Sequence, residues 1–189
     1  MMKRDSVSVL VYSLFAILIF GCSSIEVSQD YKPDSDFSNL KTYAWKHKKQ
    51  EKTGDTRIDS QLMDDRIRRA TEKRLLEKGF MKISGKTPDF YLSYAYSIAR
   101  KIYSNPVSTG MGVGYGYYGR GGTIGIRTGT EINEYDEGLL IIDFLKPDSD
   151  IVLWRGKSTR VVETHSTPEK TIQDIDQTIE KMLAQFPPD

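Results

Sequence analysis

Sulfur and imidazole chemistry are almost missing from this sequence. Its 189 residues include one cysteine, Cys22, and two histidines, His47 and His165. A single cysteine leaves no intramolecular disulfide to form, and no His-Glu-x-x-His or comparable ligand spacing occurs. We therefore expect a domain held together by its hydrophobic core alone, with no metal and no cofactor, and with both histidines at the surface.

An excess of charge of either sign is also missing. The chain has 27 Lys and Arg residues against 26 Asp and Glu residues. Such a balance provides no long-range field to attract nucleic acid or anionic lipid. We expect no nucleic-acid partner.

The sequence has only one long uncharged apolar run, from Ser6 to Gly21, and it follows Lys3 and Arg4. As a helix its apolar core of about 14 residues reaches ~21 Å, well short of the ~30 Å hydrocarbon layer of a membrane. The run ends in Ile-Phe-Gly-Cys, which resembles the lipobox of bacterial lipoprotein precursors. We predict an export signal over residues 1–21 and lipidation of Cys22; an ordinary signal peptide with a chance cysteine, or a buried structural thiol, is the alternative.

The residue after Cys22 bears on the destination of the protein. By resemblance to Gram-negative sorting, an Asp at that position retains a lipoprotein in the inner membrane, and here the residue is Ser23. We expect a protein bound to the membrane through its lipid, in the outer membrane and facing the periplasm. Residues 22–30 are expected to form a lipidated tether, with a first strand over 23–29 as the alternative, and residues 31–189 a single domain.

Hydrophobic periodicity predicts the order of the elements in that domain. The period is that of strands over residues 42–45, 90–98, 138–145 and 151–162, and that of a helix over residues 59–78 and from Ser166 or Thr167 to Phe186. The predicted buried helical residues are Met63, Ile67, Ala70 and Leu75 in the first helix, and Ile172, Ile175, Ile179, Met182 and Phe186 in the second. This order predicts an α+β fold, a twisted antiparallel sheet with both helices packed on one face.

Residues 104–130 are rich in glycine and contain Tyr115, Tyr117 and Tyr118. Because ordering so much glycine is entropically costly, we expect a long mobile hairpin extension or a flexible loop. The three tyrosines are candidate ligand contacts, since their rings stack on glycans or proteins at low entropic cost. The letters Gly114 to Gly119 match a dinucleotide fingerprint, but the strand and helix that this fingerprint requires are not predicted around them.

Four charged residues are candidates for chemistry. Asp89, Asp136 and Asp143 could supply a general acid and base if the fold brought two of them together, although Asp89 after Pro88 is more simply a turn residue. Arg155 is a candidate ligand contact because it can leave the sheet face while Trp154 stays in the core. The alternative for Arg155 is an edge-strand arginine stacked on a tyrosine.

Short motifs in a fixed order resemble the DUF4136 lipoproteins over nearly all of the chain after the signal. They are Phe37, Lys41-Thr42-Tyr43-Ala44-Trp45, Lys78-Gly79-Phe80, Pro88-Asp89-Phe90, Gly138-Leu139-Leu140-Ile141, Trp154-Arg155-Gly156 and Phe186-Pro187-Pro188. The resemblance implies an exported lipoprotein with a Gly/Tyr-rich insert and no assigned activity. It supplies no catalytic residue.

Two functional hypotheses follow from these patterns. The first is a lipid-anchored envelope lipoprotein that acts as a non-enzymatic interaction or structural module, with another envelope protein or a glycan as its partner. The alternative is an envelope hydrolase or ligand-binding protein with a cleft near the Gly/Tyr-rich loop. A concave site near that loop or near the charged candidates would favour the alternative.

Overall fold

The computed structural model describes residues 25–106, 130–163 and 165–188. Within these ranges one open sheet is covered on one face by two helices. In chain order the elements are β1 (Glu26–Tyr31), β2 (Thr42–Trp45), α1 (Gln61–Glu77), β3 (Met81–Lys82), β4 (Phe90–Pro106), β5 (Thr130–Leu145), β6 (Val152–Val162) and α2 (Pro168–Leu183).

The sheet has the strand order β1-β6-β5-β4-β2-β3, and the α+β class predicted from the sequence is confirmed. The sheet is mixed, however, and not antiparallel throughout, because β2 pairs in parallel with both β3 and β4. The physical cause is α1, which carries the chain back across the sheet between β2 and β3 and so allows a parallel neighbour. Strand β3 is only two residues long, too short for a periodic signal.

Both helices begin at the residues that cap them. The Ser60 hydroxyl accepts a hydrogen bond from Met63 N at 3.2 Å, and the Thr167 hydroxyl accepts one from Lys170 N at 3.2 Å. Helix α1 is followed by Gly79 at φ +87°, a conformation that reverses the chain and that glycine adopts without strain. Among the described residues, no helix is long and apolar enough to cross a membrane.

The helix faces agree with the predicted burial except at one residue. Met63, Ile67, Ala70 and Leu75 are buried, as are the predicted residues of the last helical segment apart from Ile172. Ile172 is 44% exposed, so its predicted burial is wrong. It lies near the start of α2, three residues before Ile175, where the buried part of the helix begins.

Aromatic rings fill the centre of the core. The Phe144 ring lies 4.5 Å from both Phe90 and Phe186 and 4.9 Å from Trp154, measured between centroids. Gly156 follows Trp154 on β6, and a Cβ atom there would lie 2.4 Å from the Trp154 ring. This cluster sits at the end of the sheet opposite to the long β4–β5 hairpin.

Strands β4 and β5 are longer than predicted. Residues 101–106 of β4 pair with residues 130–135 of β5, and the described part of the chain provides no third strand beside them. We call these two segments the β4–β5 arm; at ~3.3 Å per residue its six pairs extend about 20 Å beyond the sheet. Of the segment predicted as a mobile hairpin extension or a flexible loop, residues 104–106 and 130 are in the paired strands of a hairpin. Residues 107–129 lie outside the described ranges.

The segment predicted as a tether also contributes to the sheet. Glu26 to Tyr31 form β1 and pair antiparallel with β6, so the first strand, which the sequence left open as an alternative, is present. Glu26 pairs with Thr159, at the end of the sheet from which the arm leaves. The folded domain therefore begins only four residues after Cys22.

Candidate functional site

A cavity of about 210 Å³ lies between the two helices and the sheet, near the base of the β4–β5 arm. We call it the helix–sheet cavity. Its apolar walls include Ile58, Met63, Ile67, Ile98, Leu140 and Ile175. Its polar walls include Arg57, Arg66, Tyr96, Ser158, Arg160 and Asp174.

The cavity exists because two small residues, Gly138 and Ser158, face the helices from neighbouring cross-strand rows of the sheet. Tyr96, Leu140 and Ser158 form one row across β4, β5 and β6, and Ile98, Gly138 and Arg160 form the next. A Cβ atom on Gly138 would lie 2.9 Å from the Tyr96 hydroxyl and 2.9 Å from Val162 Cγ2. Glycine at this position lets the tyrosine ring lie across the sheet and turn its hydroxyl to the cavity wall.

Polar groups in the cavity wall are not matched by protein partners. Ser158 is 2% exposed, and its hydroxyl has no hydrogen-bond partner among the described residues. Leaving a buried hydroxyl unpaired costs about 1–3 kcal/mol. Burial raises the pKa of Tyr96, against the opposing effect of Arg160 and Arg57, so the phenol stays a neutral hydrogen-bond donor. The wall therefore presents hydroxyls suited to the acceptor atoms of a ligand.

Two of the three arginines in the wall are already neutralised. Arg57 donates to Asp136 at 2.5 Å and to Asp55 at 2.6 Å, and the pKa of Arg57 is raised by both contacts. Arg160 pairs with Asp174 at 2.8 Å. Arg66 is half-buried and has no acidic partner in the described ranges, whereas Glu163 at the rim is exposed.

The three carboxylates considered as general acids and bases do not come together. Asp136 and Asp143 are both on β5, but seven residues apart, so the two-residue period of a strand sends them to opposite faces of the sheet. Asp89 lies before β4 and accepts hydrogen bonds from the Thr42 hydroxyl at 2.7 Å and from the backbone of Lys41 and Thr42. These bonds hold the pKa of Asp89 below its usual range.

Arg155 lies on the open face of the sheet, away from the helices, while Trp154 is fully buried. Its guanidinium forms two hydrogen bonds to Asp143, at 2.7 and 2.8 Å, and this contact raises the pKa of Arg155. The guanidinium thus forms a cross-strand ion pair. Of the other residues proposed from the sequence, Cys22, Tyr115, Tyr117 and Tyr118 lie outside the described ranges.

Sequence reasoning missed one charged cluster on α1. The Arg68 guanidinium lies 4.4 Å from the Trp45 ring centroid and pairs with Asp64 at 2.9 Å. Asp64 accepts a hydrogen bond from the Tyr94 hydroxyl at 2.6 Å, and burial together with this bond raises the pKa of Tyr94. The i,i+4 spacing of Asp64 and Arg68 was the available signal. The cluster attaches α1 to β2 and β4.

Neither histidine contributes to a metal site in the described part of the chain. His47 follows β2 and its carbonyl accepts a hydrogen bond from Arg68, and His165 precedes α2. The described residues contain no group of three His, Cys, Asp or Glu side chains arranged to hold a metal ion.

The fold and its cavity define a small α+β domain with a sheet, a two-helix layer and a projecting hairpin arm. The chain belongs to the family described as Domain of unknown function (DUF4136), whose model matches residues 27–188. The resemblance seen in the sequence is thereby confirmed at the level of the family. No curated protein matches the chain.

The solved structures that are similar to this chain have low sequence identity to it. A PDZ domain protein from Parabacteroides distasonis is 15% identical with a TM-score of 0.53; the alignment covers 95% of this chain but only 40% of that protein. Two structures of the PelC dodecamer from Paraburkholderia phytofirmans are 13% and 12% identical, with TM-scores of 0.46 and 0.45. They align with 85% of this chain and with 95% and 96% of PelC.

Proposed function

We propose that this protein is a lipid-anchored envelope lipoprotein that acts by binding another envelope protein through its β4–β5 arm, without catalysis. The observation that carries the proposal is the arm. A two-stranded ribbon is marginally stable in water on its own, and its unpaired edges are templates for a further strand. The arm is such a ribbon, and its two unpaired edges are open to a partner at this end of the domain.

The side chains of the arm fit a contact surface. Ile102 on β4 is 68% exposed and Tyr135 on β5 is 37% exposed. Ile102 pairs with Glu134 and Tyr135 with Lys101, so the two large side chains lie on opposite faces of the ribbon. Large apolar side chains in this setting bury surface when a partner strand or helix packs against the ribbon. A protein partner is favoured over a glycan because strand addition satisfies the free backbone groups of the arm.

The arm is fixed to the domain at its base. The Asp136 side chain is 9% exposed and accepts a hydrogen bond from Arg57, which lies in the segment before α1. The Asp136 carboxylate also lies 3.8 Å from the Arg100 guanidinium on β4. A bridge between the helical layer and the ribbon holds the arm in one direction. Preorganisation of this kind lowers the entropic cost of binding.

The predicted anchor is compatible with a contact close to the membrane. Cys22 is four residues from Glu26, so the chain between them spans at most about 14 Å. The arm leaves the same end of the sheet at which β1 begins. A domain attached through Cys22 would therefore hold the arm on its membrane-facing side, and Ser23 supports the outer membrane as that surface.

Two measurements test the two parts of this proposal. Cys22→Ser should abolish acylation and move the protein out of the membrane fraction; a fully processed Cys22→Ser variant that stays in the membrane would contradict the anchor. For the arm, a photoreactive residue at position 102 should form one discrete protein adduct in intact envelopes. The matched control is position 172, which is also an exposed isoleucine (44%) but lies on α2.

The crosslinking result separates the candidate partners. Adducts with one protein from position 102 but not from position 172 support the proposal. A ladder of glycan adducts from position 102 would replace the protein partner by a glycan. Equal labelling from both positions, or none from position 102, would refute a specific contact through the arm.

Ligand binding is the second candidate function, and the helix–sheet cavity favours it. The hydrolase form of that hypothesis has less support, because Asp89, Asp136 and Asp143 each have structural hydrogen bonds and lie apart. The cavity is a concave site near the base of the hairpin that carries the Gly/Tyr-rich segment.

A further inference from the structure

The helix–sheet cavity combines an apolar body with a small set of convergent polar groups, which is the composition of a ligand site. Its polar groups include one that is buried and unpaired, the Ser158 hydroxyl. The Tyr96 hydroxyl borders the same space, and the described residues give it no hydrogen-bond acceptor. Two hydroxyl donors therefore face the space, one from β4 and one from β6, with β5 between them.

The size of the cavity limits the ligand. At ~30 Å³ for each water in the liquid, 210 Å³ holds roughly seven non-hydrogen atoms. Pockets that bind drug-sized ligands measure about 300–1,000 Å³. The cavity is thus suited to a molecule of about the size of a six-carbon acid, with the tail against Ile67, Leu140 and Ile175.

The charges around the cavity select the head group. Arg57 is bonded to Asp55 and Asp136, and Arg160 is bonded to Asp174, so these two cations are satisfied. Arg66 on α1 is the cation that the described residues leave without an acidic partner. Glu163 is on the rim and exposed, where solvent screens its charge. The net preference is for one negative charge placed near Arg66.

We propose that the helix–sheet cavity binds a small aliphatic carboxylate, with its carboxylate at Arg66 and the two hydroxyls and its tail between the helices and the sheet. The geometry needs neither the arm nor the lipid anchor. The inference therefore goes beyond the proposed function, and each can fail without the other.

The test uses the full-length protein in phosphatidylcholine nanodiscs, with empty nanodiscs as the blank, titrated calorimetrically with three probes. Hexanoate should bind saturably. Acetate lacks the tail and hexanol lacks the charge, and each should bind at least tenfold more weakly than hexanoate. Absence of saturable hexanoate binding overturns the proposal, and so does equal binding of hexanoate and hexanol.

Variants locate the site. Arg66→Met should weaken hexanoate at least tenfold and leave hexanol unchanged, while Arg69→Met, three residues further along α1 on its exposed face, should change neither. Glu163→Gln should leave hexanoate binding nearly unchanged, because solvent screens the exposed carboxylate at the rim. Equal effects of the Arg66 and Arg69 variants would refute the placement of the carboxylate.

Filling the cavity gives an independent check. Ser158→Leu should abolish binding of both hexanoate and hexanol, because its side chain occupies the space beside Leu140. Should that variant fail to fold, Ser158→Val fills less and removes the same hydroxyl; a folded Val variant should bind hexanoate at least tenfold more weakly. Undiminished binding by a folded Ser158 variant would show that the ligand lies elsewhere, which overturns the proposal.

Discussion

Gly156 should be among the least replaceable residues of this domain, and the reason is space. An added Cβ atom would lie 2.4 Å from the Trp154 ring, 2.6 Å from Met182 Cγ and 2.8 Å from Met182 Sδ. Trp154 and Met182 are both fully buried, so neither can move into solvent. Overpacking of a well-filled core costs about 1–3 kcal/mol, and three contacts this short place Gly156→Ala at the upper end, about 2–3 kcal/mol.

Urea unfolding followed through tryptophan fluorescence, together with thermal melts, measures this loss. For a chain of this length, about 2–3 kcal/mol corresponds to a decrease of about 4–12 °C in Tm. Gly79 is the matched control: its Cβ would meet nothing within 4 Å, but its φ of +87° strains any side chain. Gly79→Ala should therefore cost only about 1 kcal/mol, and Gly79→Asn less, since asparagine tolerates that conformation.

A double-mutant cycle identifies the clash. If Met182 is the obstacle, Gly156→Ala with Met182→Ala should lose at least about 1 kcal/mol less than the sum of the two single losses. Strict additivity would assign the effect to Trp154 alone. A Gly156→Ala variant more stable than Gly79→Ala would refute the argument from close packing altogether.

Three further predictions concern the edge, the arm and the insert. Hydrogen bonds from Thr42 and Lys41 hold the pKa of Asp89 below its unfolded value of about 3.9, so the contribution of Asp89 to stability is complete above about pH 4 and is lost as the pH falls through the folded pKa. Asp89→Asn should therefore reduce the difference in unfolding free energy between pH 6 and pH 3, whereas the control Asp148→Asn should not. An unchanged difference for Asp89→Asn would contradict the assignment. Asp136→Asn should destabilise by about 1–2 kcal/mol in urea, because it weakens the hydrogen bond that the buried Asp136 side chain accepts from Arg57. The exposed Glu134→Gln should change stability by less than about 0.5 kcal/mol, and equal effects of the two variants would show that Asp136 does not attach the arm. Replacing residues 107–129 with a short turn should leave Tm nearly unchanged because loop-closure entropy changes by only ~0.6 kcal/mol per doubling of length, and a loss of several kcal/mol would show that the segment contributes to the core.

Local sequence determined the elements whose residues carry their own signal. Helix α1 begins at a serine cap and ends before a glycine that supplies positive φ, and its buried positions follow from a period of 3.6 residues. The hairpin between β5 and β6 follows from the turn residues after Leu145. In each case the interaction involves residues only a few positions apart, so it can be predicted from the local sequence.

Tertiary structure decided everything that depends on which distant residues become neighbours. The parallel pairing of β2 arises from the crossover through α1, and β3 is strand only because β2 lies beside it. The sequence was sufficient to predict that Asp136 and Asp143 point to opposite faces of the sheet, because they are seven residues apart in one strand and side chains alternate between faces. The bond from Arg57 to Asp136 was not, because 79 residues separate the two.

The same division holds for the candidate site. The sequence by itself determined the charge balance, the single cysteine, the signal-like beginning and the likeness to DUF4136, because these are properties of composition and of short motifs. The helix–sheet cavity was decided only in three dimensions, where Gly138 on β5 and Ser158 on β6 fall in adjacent rows beneath both helices. A cavity forms where the side chains of residues far apart in the chain do not fill the space between packed elements. That space exists only after folding has brought those residues together.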